Sequence, residues 1–112
     1  MRRGITPAVA RRLALAIPGA SEGSHHGVAD FRVRGKIFAT IHPGGEKGAL
    51  MRLERDRIES LAESDPEAFA AAWGGRALLV TFARVSRAVY RDLLEDSARA
   101  ITPIRASRGR RG

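Results

Sequence analysis

Residues 22–42 read EGSHHGVADFRVRGKIFATIH, and this stretch decides the fold class. Phe31 and Val33 alternate with Asp30, Arg32 and Arg34, the period-two pattern of a strand with one buried face. Arg34-Gly35-Lys36 reads as a tight reversal, because Gly35 can take the positive φ that a short hairpin demands. Beyond it Ile37, Ala39 and Ile41 point one way, while Phe38, Thr40 and His42 point the other. Pro43-Gly44-Gly45-Glu46-Lys47-Gly48 is a second, longer turn, and residues 49–53 return as a strand. The pattern predicts a three-stranded antiparallel meander, which a short strand around 24–27 can precede.

Helical signals flank the meander. Over 6–17, Thr6 suits the N-cap and Pro7 the first helical position, with Val9, Leu13, Ala16 and Ile17 on one face; Pro18-Gly19 stops the helix. A second helix is expected over 54–63, with Ile58, Leu61 and Ala62 inward, and Pro66 ends it because the residue before a proline disfavours helix. A short helical piece over 67–72 can follow. Residues 73–75 read as a loop and 77–82 as a buried strand. Ser86 caps a final helix whose stripe is Val89, Tyr90, Leu93, Leu94 and Ile101. The expected fold class is α+β: an antiparallel sheet, made of the meander plus a later strand, with N-terminal, middle and C-terminal helices packed on it. One domain spans 1–104. Residues 105–112, RASRGRRG, lack apolar periodicity and are expected to be disordered.

Composition narrows the function classes. A chain of 112 residues holds one modest core. With no cysteine, disulfides, thiolate metal sites and Cys nucleophiles are excluded, which fits a reducing, cytoplasmic setting. No apolar run approaches the roughly 20 residues of a membrane helix, and Pro7 and Arg11-Arg12 interrupt what a signal peptide would need. The net charge is +8, and it is unevenly placed. Arg2, Arg3, Arg11 and Arg12 lie in an acid-free N-terminal segment, and Arg105, Arg108, Arg110 and Arg111 in an acid-free C-terminal one, so residues 13–104 are neutral on balance. Such ends can dock on a polyanion through phosphate contacts or simply keep a neutral core soluble.

Four pieces of the sequence, in order, resemble the MmcQ/YjbR family of small bacterial domains. They are Leu15-Ala16-Ile17-Pro18-Gly19-Ala20; Glu22 with His25-His26-Gly27 and Phe31 to Ala39; Trp73 ahead of 77–82; and the helix over 89–97. The resemblance covers roughly residues 8–98. It implies an α+β, double-wing-like fold and a DNA-binding role. Where some longer members carry an aromatic, Lys-containing segment around the tryptophan, this chain has only AFAAAWGGR.

The candidate site residues each admit two readings. Arg32, Arg34 and Lys36 can run beside a phosphate backbone, or can be the solvated outer face of a sheet. His25 and His26, adjacent in a strand, would point to opposite faces and so serve one metal ion poorly. One of them hydrogen-bonding within the sheet, or to the loop at Gly27, is the simpler reading. Glu22 with His26 could form an acid–base pair, but no nucleophile accompanies them. Trp73, beside Gly74, Gly75 and Arg76, is either a stacking platform for bases or part of the packing. Arg52, Arg55 and Arg57 interleave with Glu54, Asp56 and Glu59, as on a salt-bridged helix start. No cofactor motif, metal-ligand spacing or catalytic constellation is present. The resemblance, taken with these cations, implies a non-enzymatic DNA-binding protein that uses the hairpin and terminal arginines. The alternative is a small protein- or ligand-binding domain in which His25, His26 and Trp73 line the contact. Oligomeric state is not encoded in any recognisable pattern.

Overall fold

A computed structural model of the chain describes residues 4–101; Arg2, Arg3 and the expected tail, with Arg105, Arg108, Arg110 and Arg111, lie outside the described residues. Three α-helices, α1 (Pro7–Leu15), α2 (Arg55–Ser64) and α3 (Arg87–Arg99), accompany six strands, β1 (Ser21–His25), β2 (Val28–Val33), β3 (Lys36–Ile41), β4 (Lys47–Leu50), β5 (Phe69–Ala72) and β6 (Ala77–Thr81). The strands form one antiparallel sheet in the order β1-β2-β3-β4-β6-β5. The α+β expectation holds, and the meander is embedded in a wider sheet.

The sheet is wider for two reasons. β1 starts at Ser21, earlier than expected, and its polar residues SEGSH are held by backbone pairing with β2 rather than by burial. The residues 67–72, expected to be helical, instead end in β5, paired with β6 from Phe69↔Val80 to Ala72↔Ala77. The helix preference of an alanine run amounts to only tenths of a kcal/mol per residue, and a neighbouring strand edge with free backbone groups overrides it.

Cross-strand partners share a face, so the register sorts the side chains. Phe31, Ala39, Leu50 and Leu78 form one row, and Ile41, Gly48, Val80 and Phe69 the next. This face and the three helices enclose one core, to which Ile58, Phe82, Tyr90, Leu93 and Leu94 contribute. In α1 the most buried positions are Ala10 and Ala14, with Leu13 and Ile17 at the margin; small residues let the helix approach closely, turning it slightly from the expected face. Val89, expected on the α3 stripe, is 43% exposed. The opposite face of the sheet carries Gly23, Asp30, Thr40, Ala49 and Leu79.

Two features fix the sheet's ends. A bulge between β2 and β3 sets Phe31 opposite Ala39 but Arg32 opposite Ile37, leaving Phe38 as the extra residue. The Phe38 carbonyl accepts from the Met51 amide at 3.0 Å and from the hydroxyl of fully buried Ser97 in α3 at 2.9 Å. At the other end the chain enters the domain: the Ile5 amide donates to the Phe82 carbonyl at 2.8 Å, and a Cβ on Gly4 would sit 2.3 Å from the Ala83 oxygen.

Candidate nucleic-acid interface

Strand β2 is bracketed by two turns of the same kind. His26 (φ 51°) and Gly27 (φ 78°) connect β1 to β2, while Arg34 (φ 55°) and Gly35 (φ 79°) connect β2 to β3. Two central residues with positive φ make a type I′ hairpin turn, whose twist matches that of the strands. Since β2 ends at Val33, Arg34 belongs to the turn and does not continue the row of Arg32. Likewise His26 lies beyond β1. The two histidine rings therefore do not point to opposite faces; their centroids are 5.7 Å apart in an edge-to-face arrangement.

The first hairpin binds its own charges. Asp30 is fully buried (0% exposed), because two neighbours on the same sheet face close over it. Arg32 Nε donates to Oδ1 at 2.8 Å and a terminal nitrogen to Oδ2 at 3.1 Å. His25 Nδ1 lies 2.8 Å from Oδ2. Gly23, opposite Asp30, leaves the room: a Cβ there would meet Asp30 Oδ1 at 3.1 Å and Arg32 Nε at 3.8 Å. The Arg32 guanidinium holds the Asp30 carboxyl below the usual carboxylate range, with His25 adding to the effect and burial opposing it; the carboxylate in turn raises Arg32. An ionised carboxylate only accepts hydrogen bonds, so His25 carries its proton on Nδ1. On the helix-bearing face, Glu22 accepts from Arg11 Nε at 2.8 Å. That pairing takes both residues: Glu22 does not meet His26, and Arg11 is not a free cation.

The second hairpin leaves its charges open. Arg34 and Lys36 are exposed and make no ion pair among the described residues. The register places other cations at this same end of the sheet. Leu50 pairs with Leu78, so the segment after β4 and the loop before β6 both emerge beside the Arg34 turn. That segment brings Arg52, whose amide donates to Ser97 Oγ at 3.2 Å and whose Nε donates to the Ile37 carbonyl at 3.1 Å. Arg52 is thereby fixed next to Lys36. Arg55 opens α2, and Arg76 closes the β5–β6 loop behind Trp73. Arg57 and Arg99 share Asp96; these guanidiniums, Arg57 first, hold its carboxyl below the usual range against burial. A cleft of about 520 Å³ lies here, lined by Arg52, Leu53, Glu54, Arg57, Asp96 and Arg99. α3 ends at this end too. Glu54 and Asp56, at the start of α2, are the carboxylates beside Arg55 at this end, whereas Glu63, Asp65 and Glu67 lie toward the C-terminal end of α2 and beyond, away from the Arg34 turn.

The hairpins, the arginine end and most of the core lie within residues 15–99, the span matched by the family model described as YjbR, while Ala10 and Ala14 of α1 lie ahead of it. The chain belongs to the YjbR family. No curated protein and no solved structure gave a match. In this YjbR protein Arg2, Arg3, Arg11, Arg12 and the arginines after residue 104 fall outside the family span, whereas Arg34, Lys36, Arg52, Arg55, Trp73 and Arg76 fall inside it.

Among the described residues, no three His, Asp or Glu side chains converge as metal ligands would, and no helix is long and apolar enough to cross a membrane. Trp73 is 56% exposed. Sequence reasoning missed Asp30, Ser97 and the role of Arg52. A signal for Asp30 existed, since Asp30 and Arg32 stand two apart on one strand face; Ser97 acts through contacts too distant in sequence to be read from it.

Proposed function

We propose that this protein is a non-enzymatic module that binds DNA through phosphate contacts made at the arginine end of its sheet. The observation that carries the reading is the placement of Arg34, Lys36, Arg52, Arg55 and Arg76 along one end of the sheet, none of them with an ion-pair partner among the described residues. Phosphates attract such cations by releasing condensed counterions, without requiring base recognition. Arg105, Arg108, Arg110 and Arg111, which follow α3 in the sequence, are expected to add phosphate contacts. Arg32 and Arg11 are held by carboxylates and contribute little.

The test is a salt titration of duplex-DNA binding. Log affinity against log salt is expected to fall linearly, and neutralising Arg34 and Lys36 to Gln should make the slope shallower by about two contacts. Removing 105–112 should lower it further. A slope unchanged by both alterations rejects the mechanism.

A second reading, a small-ligand or protein-binding domain, is favoured by a separate cleft of about 340 Å³ between α1 and α3, lined by Leu13, Ile17, Pro18, Val33, Ala98 and Arg99. DNA affinity no greater than that of an unrelated basic tail would support it.

A further inference from the structure

We infer that the arginine end also takes single-stranded nucleic acid, with one base stacked on Trp73. The inference deepens the reading above and rests on it. Trp73, Gly74 and Gly75 all take positive φ (52°, 69° and 86°). Glycine adopts this region freely, but a bulky side chain is strained in it, and such strain persists where the surroundings and the function require the residue. Here the strained residue is also the exposed ring, in a domain whose aromatic content is only 5% and whose phenylalanines on β2, β3, β5 and at the end of β6 are buried. An indole more than half exposed, in an unfavourable backbone conformation, gains much less from packing than the buried phenylalanines do.

Its surroundings suit a base and its phosphate. Arg55 packs under the loop, where a Cβ on Gly75 would lie 3.1 Å from its Nη1, and Arg76 follows. Three strand positions separate this loop from the Arg34 turn, about 14 Å at the ordinary strand spacing. A flexible strand can bridge that gap, placing phosphates on Arg34, Lys36 and Arg52 while one base covers the indole. Apart from its two terminal pairs, a duplex keeps its base faces stacked inside, whereas an unpaired strand offers them along its whole length.

The chain contains a single tryptophan, so its emission reports on this site alone. Titration of the full chain with a twelve-residue oligothymidylate should quench that emission; a blunt twelve-base-pair duplex should not. By anisotropy of a labelled strand, W73L should lose about ten-fold in single-strand affinity, W73F should keep most of it, and duplex affinity should not change with either. Circular dichroism checks that both variants are folded. Duplex and single-strand binding with no change in emission, or equal affinity of W73L, overturns this inference and leaves the DNA reading standing. Failure of the full chain to bind either form overturns both.

Discussion

The two hairpins that share β2 have the same backbone and opposite chemistry. Each turns through a left-handed side chain followed by glycine, His26-Gly27 at one end and Arg34-Gly35 at the other. At the first, the neighbouring charges close on one another: Arg32 and His25 cap the buried carboxylate of Asp30. At the second, Arg34 and Lys36 meet no carboxylate, and Arg52 is aimed beside them by the Ile37 carbonyl and Ser97. A count of cations along the sequence treats Arg32 and Arg34 alike. The fold separates them into a charge that holds the sheet together and a charge that remains available to a partner.

Substitution at each hairpin tests that separation. Asp30→Ala should reduce stability by about 2 kcal/mol, because the Arg32 and His25 donors lose a buried, charged acceptor; urea unfolding measures it, and DNA affinity of the folded variant should change little. The double variant R34Q/K36Q should do the reverse, leaving urea unfolding within about 0.5 kcal/mol of the parent while weakening DNA binding.

Acid should reveal the first hairpin and not the second. The Asp30 carboxyl is held below its unfolded value of 3.8, so its pairing adds stability above that pH, and the contribution is lost as pH falls through the lower folded value. The stability gap between the parent and Asp30→Asn should therefore narrow below about pH 4, with Asp96 contributing to the parent's acid sensitivity in the same direction. A gap constant between pH 3 and 7 in urea titrations would contradict the assignment.

The smallest effect comes from the turns themselves. Asn-Gly is the preferred pair for a type I′ turn. His26→Asn and Arg34→Asn should each raise stability, by about 0.5–1 kcal/mol. Only Arg34→Asn should also weaken DNA binding. Equal binding losses at the two turns would remove the distinction drawn between them.

The local pattern made some of this readable from sequence. Arg34-Gly35 between two alternating runs specifies a hairpin, and Ser86 and Thr6 mark helix starts that the structure keeps, each accepting from the amide three residues on. What could not be read depends on long-range pairing. β1 has no hydrophobic alternation because its side chains are mostly exposed, and β5 is a run of alanine whose strand form depends on β6. That Arg34, Arg52 and Arg76 share one end of the sheet follows from β4 lying against β6, a choice that no window of sequence contains. Arg11, counted with the terminal cations, is neutralised by Glu22 eleven residues away.

The backbone enters the domain at Ile5, pinned to Phe82, and the last described residue, Ile101, lies just past α3 near the arginine end. Strands of about six residues separate the two points by roughly 20 Å. A bead, dye or fusion partner joined ahead of Gly4 therefore hangs from the remote pole and leaves the cationic pole unobstructed. The same cargo joined after Ile101 would crowd the surface it was meant to report on.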